Sequence, residues 1–220
     1  MADGLLLLGG GGHCCAVLDS LLSDPNCPYG KIAVVDAPQK RGGELFPGVP
    51  FVGSDDDLPR LRAAGFAFAF VTVGSVGDPS ARIRLTQTAE RYGYAVPTIV
   101  DPTAVVGKNV RLGSGVYVGK RAVLNFGCTV GDGSILNTGC IVEHQCAVGS
   151  FCHIAPGAVL CGGVRVGDGA HIGAGSTVLQ GVCIGAGALV GLGSAVVRDI
   201  PDCTVAYGNP CTPRRTSRAD

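Results

Sequence analysis

The sequence predicts a chain in two parts. A small parallel α/β unit over residues 1–97 precedes a parallel β-helix of hexapeptide repeats over 98–200, and a tail occupies 201–220. Three observations predict this. From residue 100 to residue 196 every sixth residue is aliphatic, with no insertion. The first 97 residues lack that period and alternate short apolar runs with helical patterns. A glycine run, Gly9–Gly12, separates the first apolar run from the first helical pattern.

In the first part, Gly4–Leu8 is short and continuously apolar, as a buried strand is. A helix is expected from His13 to about Leu22, and a second strand over Lys31–Asp36 (KIAVVD). Leu58–Ala64 reads as a short helix and Phe66–Val73 (FAFAFVTV) as a third strand. Pro79–Tyr92 is amphipathic and opens with proline, which suits a first helical turn. Strands alternating with helices make a parallel α/β unit. The glycine run stands where free backbone N–H groups and a helix dipole favour an anion. Asp36, ending the second strand, is placed to accept hydrogen bonds from a ribose or base. As a dinucleotide fingerprint, Gly9-x-Gly11-x-x-Cys14 lacks its third glycine. The pattern therefore leaves open a tight turn with no ligand and does not favour NAD.

In the second part the aliphatic positions run Val100, Val106, Leu112, Val118, Leu124, Val130 and onward to Val196. Six matches neither the 3.6 of a helix nor the 2 of a plain strand. It matches a hexapeptide β-helix, in which each repeat makes a short strand and a corner. Three repeats close one triangular coil, so residues eighteen apart stack. The aliphatic residue points inward. Four residues later a small or β-branched residue, from Ala104 to Ile200, fills a narrower interior position. Glycine often follows the aliphatic residue, and 21 of the 36 glycines lie between residues 100 and 200. Glycine turns a corner or takes positive φ without steric cost.

Composition narrows the function. Seventeen Lys+Arg balance seventeen Asp+Glu, whereas nucleic acids and anionic membranes select basic surfaces. A 46% apolar content excludes disorder. No apolar run approaches the roughly 20 residues of a membrane span. Leu5–Leu8 has no basic segment before it and no A-x-A site after it, and so is not read as a signal peptide. The eleven cysteines form no C-x-x-C pair, which favours a reducing, cytoplasmic setting over a disulfide framework. Cys128, Cys140, Cys146 and Cys152 fall on the narrow interior position and read as small apolar fillers. No cysteine set has metal-ligand spacing, and no metal is expected.

Four histidines exist: His13, His144, His153 and His171. His144 stands two residues after Val142, on the outer surface of the prism, where packing gives no reason for it. His153 and His171 are eighteen apart and stack. From the residues alone, a solvated surface histidine is the default for each.

The combination of LLLGGGGHC with an uninterrupted hexapeptide prism resembles the hexapeptide-repeat sugar acetyltransferases that modify sialic acid or nucleotide-linked 4-amino sugars. Its most specific stretch is ILNTGCIVEHQCAVGSFCHIAPGAVLCGGVRVG, residues 135–167, and the closing VAYGNPCTPRR adds to it. The resemblance implies a left-handed β-helix, a Rossmann-like first domain, a homotrimer with active sites between prisms, acetyl-CoA as co-substrate and a cytoplasmic enzyme of surface glycan synthesis. It implies that Gly10, Gly11, Gly12, His13 and Asp36 touch a nucleotide-linked amino sugar, with Arg82 near a position often basic in the family. Asn137 then lines the sugar site and His144 is the general base. Relatives commonly carry an acid after the base; here Gln145 follows, leaving the orienting role to Gln145 or Glu143. His153, Gly162, Gly173, Ala174, Pro210 and Arg214 are implied on acetyl-CoA, with the Gly162 N–H holding the oxyanion. A sialic-acid-type O-acetyltransferase is the alternative. A scaffold, or a metal enzyme of the γ-carbonic-anhydrase type, is disfavoured by the two-part architecture and the EHQC motif.

Overall fold

The computed structural model describes residues 4–216 and divides into two compact units. One runs to Gly74 and takes in Ser80–Pro97. The other comprises Ser75–Pro79 and the chain from Thr98 onward.

The first unit is a five-stranded sheet of β1 (Gly4–Leu8), β2 (Lys31–Val35), β3 (Glu44–Phe46), β4 (Val49–Gly53) and β5 (Phe66–Val71), in the order β3-β4-β2-β1-β5. Every neighbouring pair is parallel except the β3–β4 hairpin. The helices are α1 (Gly12–Ser23), α2 (Leu58–Ala63) and α3 (Ser80–Arg91). β1 is central, which explains its unbroken apolar run: Leu5 to Leu8 are fully buried, as parallel strands covered on both faces are. The hairpin is an addition to the sequence reading. Its Pro47-Gly48 turn, with Gly48 at φ 81°, is a recognisable turn dipeptide.

In the second unit each hexapeptide forms a two-residue strand ending in the aliphatic residue. Strands eighteen apart pair in parallel, in register, on three sheets. One sheet carries Ile141–Val142 and Val159–Leu160, the next Ala147–Val148 and Arg165–Val166, the third His153–Ile154 and His171–Ile172. Both interior positions form one continuous core. Burial raises the Cys140 thiol to about 12 and that of Cys146 to about 11, so these cysteines stay protonated fillers. In the first coil Val100 and Val106 are 38% and 42% exposed.

Two expectations change at the other end. Ile200 does not take the narrow position. It pairs with Ile184, in the aliphatic role, because the corner after Val196 is two residues shorter than its predecessors. Nor is the stretch after 200 a separate tail. Thr204–Gly208 pairs parallel to Leu189–Val190, and Cys211–Thr216 pairs antiparallel to it, extending the third sheet.

Apart from Gly162, the prism's glycines are of two kinds. Those three residues after the aliphatic position, such as Gly157 and Gly175 (both φ 66°), take the left-handed conformation. Those directly after it do not. At Gly173 a Cβ would stand 2.5 Å from the Leu192 backbone nitrogen, so glycine there permits the close approach of the next coil.

Candidate active site

His144 is held by the corner that follows Ile141–Val142, and it is exposed. The ring lies against the next coil: a Cβ on Gly162 would lie 2.5 Å from both Cε1 and Nε2 of His144. Gly162 is therefore the platform for the imidazole. The Gly162 carbonyl accepts from Gly181, but among the described residues no acceptor takes its N–H. On another corner of the prism the equivalent outward N–H is capped by a side chain one coil on. Asp132 Oδ1 accepts from Ser114, and Asp168 Oδ1 accepts from Ser150, both at 2.8 Å.

The two neighbours of His144 behave differently. Glu143 Oε2 accepts from the His144 backbone N–H at 3.3 Å. Gln145 Oε1 faces the ring Nδ1 at 3.4 Å. With that oxygen as acceptor, Nδ1 carries the proton and Nε2 keeps its lone pair. Gln145 sits at φ 59°, in a column where Gly127 and Gly163 take φ 73° and 69°.

A second cluster lies on the third sheet and the corner after it. His153 Nδ1 donates to the Ser75 carbonyl at 2.8 Å. Asn137 Oδ1 accepts from the Thr138 N–H at 2.8 Å, which turns its amide nitrogen toward His153 Nε2 at 3.1 Å. These partners fix His153 as the neutral Nδ1–H tautomer. His171, only 7% exposed, meets it edge-on with ring centroids 4.9 Å apart. Gly173 and Ala174 follow on this same corner two coils above Asn137, away from the His144 corner. Pro210 lies in the turn of the closing hairpin, and the Arg214 guanidinium covers the Tyr207 ring at 5.0 Å.

In the first unit, Gly9–Gly12, His13, Asp36, Lys40 and Thr72–Gly74 line a cavity of about 460 Å³. Asp36 organises it. Its Oδ2 accepts from the Gly10 N–H at 2.7 Å and from Lys40 Nζ at 2.6 Å, and its Oδ1 from the Ala37 N–H at 2.6 Å. Burial pushes the Asp36 carboxyl up, but the bonds from Lys40, Ala37 and Gly10 outweigh it and hold the group below its ordinary value. Gly10 is tight, since a Cβ there would meet Phe51 at 2.5 Å. A neighbouring cavity of about 500 Å³ shares Gly9 and Asp36 and is walled by Ser54, Asp55, Arg84 and Leu85. Arg82 does not line it, being 2% exposed. Arg84, two residues further along α3, does. Lys40, Arg84 and Ser75 went unread in the sequence, for they sit in no motif and only folding brings them to these positions.

The chain belongs to the hexapeptide-repeat sugar acetyltransferases. Among particular relatives, it is 39% identical to PerB from Caulobacter crescentus in complex with CoA and GDP-perosamine, covering 98% of this chain and 99% of that one, with a TM-score of 0.88. It is 32% identical to the acetyltransferase domain of PglB from Neisseria gonorrhoeae in complex with acetyl coenzyme A, covering 97% and 100%, with a TM-score of 0.87. WeeI from Acinetobacter baumannii shares the fold, at 22% identity and a TM-score of 0.84. The GMPPB C-terminal domain family matches residues 94–179. No curated protein matches the chain. Among the described residues no helix is long and apolar enough to cross a membrane.

Proposed function

We propose that the chain is an acetyl-CoA-dependent N-acetyltransferase acting on the amino group of a nucleotide-linked amino sugar in surface glycan biosynthesis. The observation that carries the reading is the His144 ring seated on Gly162, a glycine whose N–H no described acceptor takes. Relatives at 39% and 32% identity that hold CoA with GDP-perosamine, and acetyl coenzyme A, support it.

The sugar amine attacks the thioester carbonyl while His144 Nε2 takes the amine proton as general base. The Gly162 N–H receives the oxyanion. The tetrahedral intermediate collapses, the C–S bond breaks, and the departing CoA thiolate takes the proton from the imidazolium. Gln145 orients the ring through Nδ1, and Glu143 supports the corner through the His144 N–H. Asn137 contacts the sugar. His153 acts near the acetyl group as a fixed neutral imidazole, with Gly173, Ala174, Pro210 and Arg214 along acetyl-CoA.

Residues 1–97 form the Rossmann-like substrate domain, with the glycine turn and His13 near the phosphates and Asp36 bracing the turn. Residues 98–200 form a left-handed β-helix, and 201–220 follow it. A cytoplasmic homotrimer with sites between prisms fits the separation of the His144 corner from the Gly173–Ala174 corner, since adjacent prisms would bring unlike corners together.

The test is turnover with acetyl-CoA and a panel of UDP-, GDP- and dTDP-linked amino sugars, with sialic acid alongside. CoA release with an amino sugar alone is expected. Release with sialic acid alone would establish O-transfer instead. His144→Ala should lower kcat by about 10²–10⁴ with an unchanged melting temperature, and an unaltered rate would remove His144 from the chemistry.

A further inference from the structure

Leu124 pairs in register with Val142, so the corner after Leu124 lies one coil below the corner that carries His144. Phe126 holds the same place in the lower corner as His144 does in the upper, two residues after the aliphatic position. Gln145 ties the two together. Its N–H donates to the Phe126 carbonyl at 2.9 Å, and its Oε1 faces His144 Nδ1 at 3.4 Å.

The Phe126 side chain is 54% exposed, and nothing in the repeat calls for an aromatic there. At the matching place in nearby coils one of the other corners carries Lys120 and Thr138, and the other Asp132 and Ser150. Among the described residues the second unit exposes one more aromatic, Tyr207 at 49%, and the Arg214 guanidinium lies over that ring at 5.0 Å. The imidazole rests on Gly162, in the coil above it. The phenyl ring, in the coil below it, stays open to a ligand.

The chemistry sets what can lie there. The attacking amine has to come within about 3 Å of His144 Nε2 to give up its proton. The carbon that bears it then lies nearer to Nε2 than one coil rise of about 4.8 Å. With the oxyanion on the Gly162 N–H, the thioester carbonyl takes the upper side of the imidazole and leaves the lower side to the sugar. A pyranose carries hydroxyls around its rim and C–H bonds across its faces, and a C–H face buries well on an aromatic ring. We infer that Phe126 is the platform on which the acceptor's sugar ring lies, holding the amine below His144 Nε2. The inference rests on the proposed activity and adds to it a contact that selects for the sugar itself, apart from its nucleotide.

Phe126→Ala should raise KM for the nucleotide-linked amino sugar about tenfold, the worth of roughly two buried CH groups. KM for acetyl-CoA and the oligomeric state on gel filtration should not change, and Phe126→Tyr should keep the wild-type constants. An unaltered amino-sugar KM in Phe126→Ala overturns the platform and leaves the activity standing. An equal rise in both KM values, or a change of oligomeric state, overturns it as well and places Phe126 at an interface between copies of the chain. A second variant reads binding without turnover. The chain has no tryptophan, so Phe126→Trp makes the platform its single indole reporter. Its emission should shift on addition of UDP-, GDP- or dTDP-linked amino sugars and stay fixed with UDP, GDP or dTDP alone. An equal shift with the bare nucleotides overturns the platform. If the wild type acetylates no amino sugar, a shift with one of them refutes the activity and retains the platform, and no shift refutes both.

Discussion

The prism and the α/β unit each require glycine at a crowded point, and they create that requirement differently. In the prism the neighbour of Gly173 is Leu192, one coil on, and the same relation recurs at Gly167, where a Cβ would meet the Ala186 nitrogen at 2.6 Å. In the α/β unit the neighbours of Gly10 are Phe51, in the middle of β4, and Asp36, just after β2. The prism repeats one local solution, so each residue's role is a function of its number. The α/β unit uses each contact once. Damage should therefore spread along the stack in one case and stay with a single network in the other.

The largest effect should come from the repeated core. Leu160 is fully buried between Val142 and Val178. Leu160→Ala should cost about 2–5 kcal/mol. Hydrogen exchange should accelerate most in the coils carrying Val142 and Val178, since stacked repeats are coupled to nearest neighbours. Exchange raised evenly over both units would contradict that picture.

A smaller effect belongs to the network around Asp36. Its carboxyl lies below its ordinary value in the folded chain. The stability it contributes is then complete above the unfolded carboxylate value of about 3.9 and is lost as pH falls through the lower folded value. Asp36→Asn should cost about 1 kcal/mol near neutrality and flatten the acid limb of the stability profile. Urea melts between pH 2 and 7 would show it, and an unchanged acid slope would locate the sensitivity in other carboxylates.

The same contrast sets what could be read from the sequence. The prism's strands and their aliphatic interior were legible because one period covers them. His144 was singled out by the resemblance of EHQC to the family, for on the residues alone an outward histidine reads as a solvated one. Ile200 was misplaced because the period was carried through a corner that is two residues short, and the six-residue count contains nothing to signal it. In the α/β unit, the strands and the glycine turn were legible from apolar runs and punctuation. The Lys40–Asp36–Gly10 network and the place of Arg84 were not, because they depend on which strand ends meet. The helix carrying both Arg82 and Arg84 was expected, but choosing between them required knowing which face it turns to the sheet.

The finest prediction joins both halves of the comparison at one residue. Gln145 holds a left-handed backbone at φ 59° where the coils beneath and above use Gly127 and Gly163. A side chain in that conformation costs about 1–2 kcal/mol, and glycine recovers part of it at the expense of a freer unfolded chain. On packing alone, Gln145→Gly should be neutral or stabilising by up to about 1 kcal/mol. Yet the glutamine puts Oε1 3.4 Å from His144 Nδ1, and glycine has nothing to put there. The variant should therefore melt no lower than the wild type and turn over several-fold more slowly, with KM for both substrates little changed, because a loosened base loses orientation and not substrate contacts. A rate equal to wild type would assign Gln145 to the corner alone. A lower melting temperature would show that the hydrogen bond to the imidazole outweighs the backbone strain.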